Sequence, residues 1–232
     1  MKPEVKKRNK NFSENKSQTE ISSISIKDSY IEVNGYQSFK VNSGKIFDES
    51  RKLDNCKQKN VTNIVINNKH YCKTVLDIGC SQGYYSFFSY FNGYKVTGLE
   101  HDKSYYDNLI KIKTYLNMNS NIEFKNQKFG LLTDETRYDI CLFLAIIHWV
   151  YSCTDYFGSL TKIINKLYNI TNKILIIEWI SPEILKNMYL NTEVKINENY
   201  TFDNFQRAIS IFSKVERYES STNTREIFVC FK

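Results

Sequence analysis

The stretch TVLDIGCSQG, residues 74–83, decides the fold class of this 232-residue chain. Its first half is an apolar run rich in β-branched residues, which is typical of a buried strand. Its second half contains Gly79 and Gly83, and glycine allows the backbone to approach a ligand because it has no Cβ. The aromatic segment 84–91 follows and is predicted to be a helix. A strand, a glycine turn and a helix in this order begin a crossover unit, and the turn lies where doubly wound sheets bind ligands.

The rest of the chain repeats the alternation of strand and helix. Further strands are predicted at 94–100, 121–125, 138–146, 173–178, 214–218 and 226–231, and helices at 104–117, 156–168 and 202–212. Alternating elements predict a mainly parallel sheet, and nearly continuous apolar strands indicate that helices cover both of its faces. The connection 219–225 is too short for a crossover helix, so the last two strands should pair antiparallel. The pattern therefore predicts an α/β fold.

The chain divides into three regions by composition. Residues 1–28 are polar, basic and without periodicity, which predicts a flexible tail. Residues 29–72 contain only short apolar segments, and we expect a cap or hairpin there, with a helix near 50–57. Residues 73–232 carry the strong α/β signals and form the main domain.

The net charge is +7, from 32 basic and 25 acidic residues. Residues 1–30 hold seven basic and four acidic residues, so that segment carries +3 and the remainder only +4. A mildly basic body allows a nucleic-acid partner but does not favour one.

The six cysteines form no C-x-x-C pair and no zinc-ligand spacing, so no metal site is expected from them. Free thiols of this kind are typical of a reducing compartment. No apolar stretch reaches the roughly 18 residues of a membrane span, and the N-terminus has no secretory signal. We therefore expect a cytoplasmic protein without a membrane span, in a host's cytoplasm if the A+T-rich coding bias reflects a viral genome.

Glu100 ends the second predicted strand, about twenty residues after the glycine turn. A carboxylate at that position can accept hydrogen bonds from both hydroxyls of a ribose. A dinucleotide-binding Rossmann site is the alternative interpretation. However, the turn is not G-x-G-x-x-G, and the acidic Asp77 precedes the first glycine.

These residues resemble the class I S-adenosylmethionine-dependent methyltransferases. The resemblance rests on the DIGCSQG loop (77–83), on Glu100 and on the fourth-strand run YDICLFLAIIH (138–148), and it covers about 72–232. It implies a Rossmann-like sheet of seven mostly parallel strands with an antiparallel last strand. It also implies S-adenosylmethionine as cofactor, with Gly79 and its neighbours on the methionine part and Glu100 on the ribose.

The resemblance assigns a set of candidate cofactor-binding residues. They are Arg51, Asp77, Gly79, Cys80, Ser81, Gly83, Glu100, Phe129 and Ala145. Arg51 has two interpretations. It is either a bidentate clamp for the cofactor carboxylate or a solvated arginine on a helix.

One part of the family pattern is absent. Many members place an acidic residue after the third strand to bind the adenine amine, but the corresponding stretch, residues 126–130, reads NQKFG. Phe129 could instead stack on the adenine, or Gln127 could hydrogen-bond it.

A narrower resemblance concerns the acceptor. The segments IIEWISP (176–182), YTFDNF (200–205) and TREIF (224–228), with Ser50-Arg51, resemble bacterial and viral methyltransferases that modify glycans or nodulation factors. That resemblance implies O-methylation of a sugar hydroxyl.

Four residues that follow the fourth and fifth strands are candidates for acceptor chemistry. An imidazole such as His148 can remove the proton of a hydroxyl acceptor, and Glu178 could orient that ring. Trp149 and Trp179 are candidate substrate-binding residues. The alternatives are a structural histidine at the strand end and two tryptophans that fill the core. A metal held by His148, Glu178 and Asp155 is a further alternative, although no metal motif is present.

The sequence thus predicts an S-adenosylmethionine-dependent O-methyltransferase that acts on a glycan or a small polar metabolite. The competing hypotheses are an RNA methyltransferase and a non-catalytic partner subunit with a methyltransferase-like fold. The sequence does not indicate the oligomeric state.

Overall fold

The structure, a computed structural model, describes residues 23–34, 38–47, 55–133, 135–188, 194–219 and 225–232. The strands are β1 (Ser23–Ile26), β2 (Ile31–Asn34), β3 (Phe39–Val41), β4 (Ile46–Phe47), β5 (Thr74–Ile78), β6 (Lys95–Glu100), β7 (Ile122–Asn126), β8 (Tyr138–Phe143), β9 (Thr171–Ile180), β10 (Lys214–Glu219) and β11 (Arg225–Phe231). The helices are α1 (Asn55–Asn67), α2 (Tyr84–Phe91), α3 (Lys103–Tyr115), α4 (Ile147–Ser152), α5 (Leu160–Ile170), α6 (Pro182–Met188) and α7 (Phe202–Ile209), with a 3₁₀ turn at Phe129–Leu131.

The main sheet has seven strands in the order β10-β11-β9-β8-β5-β6-β7. Strands β5 to β9 run parallel to one another, whereas β11 runs antiparallel to both of its neighbours, β9 and β10. The predicted Rossmann-like sheet with an antiparallel last strand is therefore confirmed. Because β5, β6, β7 and β8 are parallel, their carboxyl ends meet at one edge.

Helices cover both faces of this sheet, as predicted. On β5, Leu76 and Ile78 belong to one apolar cluster, whereas Val75 belongs to the other. The first cluster includes buried residues of α4, α5 and α7, and the second includes those of α1, α2 and α3. Alternate side chains of a strand point to opposite faces, so each face has its own core.

A small antiparallel sheet of β1 to β4 precedes the main domain. Phe39 of β3 is buried and packs edge-on against the ring of Tyr84 in α2, with centroids 5.7 Å apart. Strands β2 to β4 of this sheet lie within 29–72, where a cap or hairpin was expected, whereas β1 precedes that region. Of the helix predicted at 50–57, residues 50–54 lie outside the described part of the chain, and α1 continues to Asn67.

The predicted tail, 1–28, extends too far. Ser23–Ile26 forms β1, which pairs with β2 through partners such as Ile24 and Val33. The hydroxyl of Tyr115 also donates to the carbonyl of Lys27 at 3.3 Å. The alternation of serine and isoleucine at 23–26 is a short strand pattern that the polar composition of the region conceals.

The predicted fourth strand, 138–146, also extends too far. β8 ends at Phe143, Ala145 adopts a left-handed backbone with φ 59°, and α4 begins at Ile147. His148 is therefore in the first turn of a helix and not at a strand end. Apolar runs in a buried strand and in a buried helix look alike in sequence, which explains the error.

Within the described residues, none of the helices combines the length and the apolar character that crossing a bilayer requires.

Candidate active site

A cavity of about 620 Å³ opens at the carboxyl edge of the main sheet. Its walls come from the segments after β5 to β8, namely Gly79, Ser81, Leu99, Glu100, His101, Asp102, Tyr105, Gln127, Lys128, Phe129, Ile146, Trp149, Val150, Cys153, Thr154, Asp155 and Tyr156. The volume lies within the range of about 300–1,000 Å³ that is usual for small-molecule and cofactor sites.

The glycine turn forms one wall of the cavity. Gly79 has φ +67°, and an added Cβ would lie 2.9 Å from Cγ2 of Ile146 in the segment after β8. Ser81 is also left-handed, with φ 51°, although it carries a side chain. The turn therefore holds both residues in conformations that bring the backbone, rather than side chains, to the cavity.

Glu100 stands beside this turn and is only 5% exposed. Its Oε2 accepts a hydrogen bond from the backbone N–H of Ser81 at 2.8 Å, and its Oε1 accepts one from Asp102 N–H at 2.8 Å. His101 Nδ1 lies 3.4 Å from Oε1, and this contact raises the pKa of the imidazole. A carboxylate has about four acceptor positions, so these donors hold Glu100 in a fixed orientation. One further position remains on Oε2, and a ligand hydroxyl would share Oε1 with His101.

Asp77 and Cys80 lie behind the turn and are not among the residues of the cavity wall. Asp77 is 4% exposed, and its Oδ2 accepts a hydrogen bond from Ser86 Oγ at 2.6 Å. Burial raises the pKa of Asp77 to about 6, and the Ser86 bond opposes that shift. Burial also raises the pKa of the Cys80 thiol. Both residues therefore shape the turn from beneath.

Gly83 likewise supports the site without lining the cavity. It precedes α2 and has φ +85°, in the left-handed region that favours glycine. An added Cβ would lie 2.5 Å from Cδ2 of Leu109 and 2.8 Å from Cε2 of Phe87. The space beside Gly83 is therefore filled by the core.

We expect Gly83→Ala to lower the free energy of unfolding by about 2–4 kcal/mol, because a left-handed alanine and an overpacked core are both unfavourable. Gly158→Ala is the matched control, since Gly158 has φ +60° and nothing lies within 4 Å of its added Cβ. The control should lose only the backbone part, about 1–2 kcal/mol. Urea unfolding of both variants measures the difference, and equal losses would contradict the packing argument.

The far end of the cavity is formed by residues after β7. Phe129 lines it although only 4% of the residue is exposed, and its ring packs against Phe143 and Phe157 at 5.4 and 5.9 Å. The predicted alternative, Gln127, is also on the wall. Asp155 reaches the same place from the segment after α4, and its Oδ1 accepts a hydrogen bond from Gly130 N–H at 2.9 Å.

Helix α4 forms the wall next to the glycine turn. Trp149, which was predicted to bind substrate, is on the wall, and so is Ile146, whereas the predicted Ala145 is not among the wall residues. His148 is 1% exposed and is not one of the wall residues. Burial, with a smaller contribution from the charge of Arg225, lowers the pKa of His148 to about 3. The imidazole is therefore neutral at physiological pH.

Glu178 is fully buried on β9, away from the cavity wall. Lys57 Nζ of α1 lies 2.5 Å from its Oε2, and Arg225 Nη1 of β11 lies 3.5 Å from its Oε1. Among the described residues these two cations, and not His148, are the charged partners of Glu178. Glu178 was predicted to orient the imidazole of His148, but no hydrogen bond between these two side chains is found among the described residues.

Trp179 is 3% exposed and stacks against Tyr200 and Phe205, each with centroids 4.7 Å away. It borders a separate cavity of about 310 Å³. The structure therefore does not bring Trp179 together with Trp149. Arg51, the remaining predicted residue, lies outside the described residues, as do Ser50 and Thr224.

The described residues contain no cluster of three or more side chains suited to hold a metal ion. Asp155 and Glu178, two members of the alternative metal set, have the separate partners given above.

Sequence reasoning missed much of the wall. The residues not assigned to the site include Asp102, Tyr105, Lys128, Ile146, Val150, Cys153, Thr154 and Tyr156. Five of them follow β8, in or around a short helix that the apolar run concealed. Their position after a parallel strand was the available signal.

Comparison with known protein families agrees with this geometry. The family model described as tellurite resistance protein TehB matches residues 39–185, more than half of the chain. The chain belongs to the TehB family. This assignment confirms the resemblance to S-adenosylmethionine-dependent methyltransferases and the predicted cofactor. No curated protein matches the chain by sequence.

Solved structures show the same fold. Monomeric WbdD superposes with a TM-score of 0.58 at 15% identity, over 79% of this chain and 42% of that chain. Magnesium protoporphyrin IX methyltransferase (ChlM) from Synechocystis PCC 6803, with bound SAM, gives 0.54 at 14% identity, over 76% and 79%. A putative S-adenosylmethionine-dependent methyltransferase from Listeria monocytogenes gives 0.56 at 12% identity, over 75% and 96%. This TehB-family chain thus spans less than half of the WbdD chain.

The residues present fit S-adenosylmethionine. Glu100 is buried, is fixed by two backbone donors and lines the cavity, which suits a carboxylate that binds ribose hydroxyls. Gly79 and Ser81 present backbone on one side of it, and Gln127 and Phe129 lie on the other. The cavity wall therefore offers backbone at the glycine turn, a carboxylate at Glu100, and an amide and an aromatic ring at Gln127 and Phe129.

Proposed function

We propose that this methyltransferase transfers a methyl group to a hydroxyl of a sugar, either in a glycan or in a small polar metabolite. The observation that carries the proposal is a buried polar group, here called the Glu178 cluster, formed by Lys57, Glu178, Arg225 and His148. Lys57, Glu178 and Arg225 come from α1, β9 and β11 and are joined by ion pairs, and the charge of Arg225 also acts on His148 of α4.

The Glu178 cluster favours an acceptor that donates hydrogen bonds. Glu178 is 0% exposed, and its Oε1 forms an ion pair with Arg225 at 3.5 Å but accepts no hydrogen bond from the described residues. A buried acceptor atom that accepts no hydrogen bond is unfavourable, by about 1–3 kcal/mol or more for a charged group. A hydroxyl group of an acceptor molecule would satisfy it. Trp149, the residue after His148, lines the cofactor cavity, so α4 contributes to both places.

The residues of this chain have to align the acceptor hydroxyl with the methyl group and to accept the hydroxyl proton. The cofactor, when bound, supplies an electrophilic methyl group on a sulfonium. Transfer would form a C–O bond at the acceptor oxygen and break the C–S bond, with the bonding pair going to sulfur. The chain must hold the hydroxyl in line, exclude water and accept the hydroxyl proton. We assign the last task to His148, whose imidazole is neutral at physiological pH because burial lowers its pKa.

An acceptor screen tests the proposed function. Purified protein is incubated with methyl-labelled cofactor and with nucleotide-sugars, oligosaccharide fragments, carboxylic acids or RNA. We expect label in a sugar fraction, in an ether linkage that survives mild alkali. Label confined to RNA, or released by alkali as from a methyl ester, would contradict the proposal.

His148→Asn is expected to reduce kcat by about tenfold to a hundredfold while S-adenosylhomocysteine affinity is retained. This is the lower part of the usual range for a general base, because an imidazole with so low a pKa is a weak one. Since that pKa is about 3, the wild-type rate should show no imidazole inflection between about pH 6 and 9. His70→Asn, on the exposed surface, is the control. An unchanged kcat in His148→Asn would remove the base assignment.

A further inference from the structure

The sequence lacks an acid after the third parallel strand, yet the structure places one there. Asp155, from the segment after α4, lies against the segment that follows β7. Its Oδ1 accepts the Gly130 N–H at 2.9 Å, and its Oδ2 lies 3.3 Å from Thr154 Oγ1. Asp155 is also part of the cavity wall. The segment after β7 contains no acidic residue, but the carboxylate of Asp155 lies beside it at this end of the cavity.

The absence of a side chain on Gly130 makes this position possible. A Cβ added to Gly130 would lie 2.5 Å from Asp155 Oδ1. The carboxylate thus sits directly on the backbone that continues from Gln127 and Phe129, two other wall residues. Its orientation is set by the Gly130 N–H, and a carboxylate with two such partners retains free acceptor positions.

The remaining walls determine which part of the cofactor faces Asp155. Glu100 suits the ribose, and the backbone of Gly79 and Ser81 lies on the methionine side. The adenine then extends toward Gln127 and Phe129, where Asp155 is. The exocyclic N6 amine of adenine is a hydrogen-bond donor, and an ionised carboxylate is an acceptor only.

We propose that Asp155 accepts a hydrogen bond from the adenine amine and is the residue by which this enzyme recognises adenine. The inference rests on the proposed function only in its cofactor, not in its acceptor. It assigns to the segment after α4 a task that the family pattern gives to the segment after β7.

Asp102 is the other aspartate on the cavity wall, and its place differs. Its Oδ1 accepts from the backbone N–H groups of Ser104 at 2.8 Å and Tyr105 at 3.2 Å, which caps α3. It also follows β6 directly, next to the ribose carboxylate. Asp102→Asn keeps a good helix cap and removes one cavity charge, so it is the matched control.

The test compares two ligands that differ at one position of the base. S-adenosylhomocysteine carries the N6 amine, whereas S-inosylhomocysteine carries a carbonyl oxygen there. Isothermal titration should show that the wild type prefers the adenine ligand by about tenfold to a hundredfold, as one charge-assisted hydrogen bond allows. In Asp155→Asn the amide can keep the Gly130 bond and present its N–H₂ to the base. The preference should fall to threefold or less or reverse, whereas Asp102→Asn should retain it.

Failure of the cofactor assignment and failure of the proposed role of Asp155 would give different results. If the wild type binds neither ligand, the cofactor assignment fails. If the wild type binds both equally, or if Asp155→Asn keeps the wild-type preference, Asp155 does not read the base and the inference is overturned. The comparison of the two ligands in the wild type can overturn the proposal by itself, even if Asp155→Asn does not fold.

Discussion

Glu100→Ala should weaken the binding of S-adenosylhomocysteine by roughly 10²- to 10⁴-fold. Two charge-assisted hydrogen bonds to the ribose, at about 1.5–3 kcal/mol each, would be lost. The substitution also leaves the N–H groups of Ser81 and Asp102 without their carboxylate acceptor. The turn that faces the methionine part would then be less well fixed. Isothermal titration measures the affinity, and circular dichroism checks the fold.

Glu100→Gln is the informative companion to this variant. Glutamine keeps one carbonyl oxygen, so it can accept from either Ser81 or Asp102 but not from both. We expect an affinity between those of the wild type and Glu100→Ala. An affinity equal to the wild type in both variants would mean that the carboxylate supports the turn and does not touch the cofactor.

Glu178→Ala should lower the free energy of unfolding by about 3–5 kcal/mol, because removing one member of a buried ion pair leaves buried charge uncompensated. The side chains of Lys57 and Arg225 are only 12% and 21% exposed, so water would screen them poorly. Urea denaturation of the ligand-free protein measures the loss.

Asp107→Ala provides the control for this loss. Asp107 pairs with Lys103 on the surface of α3, where both side chains are well exposed. Exposed helix pairs of this spacing contribute only about 0.3–0.5 kcal/mol. If Glu178→Ala loses no more than Asp107→Ala, the Glu178 cluster does not hold α1 to the sheet. A drop in activity of Glu178→Ala would then have to come from the acceptor site itself.

The order of the elements was predictable because strands such as β5 and β9 are mostly apolar and turn residues separate them from the helices. Two boundaries were not. The strand at 23–26 has only four residues within a polar region, and the run 138–147 contains both a strand end and a helix start. A left-handed Ala145 separates them, and alanine carries no sequence signal for that conformation.

The site was predictable where the chemistry is local in sequence. Gly79, Ser81 and Glu100 meet because a parallel sheet brings consecutive strand ends together. Asp155 was not predictable as a neighbour of Gly130, since 25 residues, a strand and a helix separate them. Glu178 was recognised as an important carboxylate, but its partners come from α1 and β11. Such tertiary contacts leave no periodic pattern in a single sequence.

The buried position of Asp77 links folding to proton binding. Its pKa is about 6 in the folded protein against 3.8 for the ordinary group, so the folded state holds this proton more tightly than the unfolded chain. The stability that this proton contributes is fully present below about pH 4 and is lost as the pH rises through about 6. The free energy of unfolding falls by up to about 3 kcal/mol over this range. Near neutral pH the ligand-free protein therefore carries a buried negative charge that opposes folding.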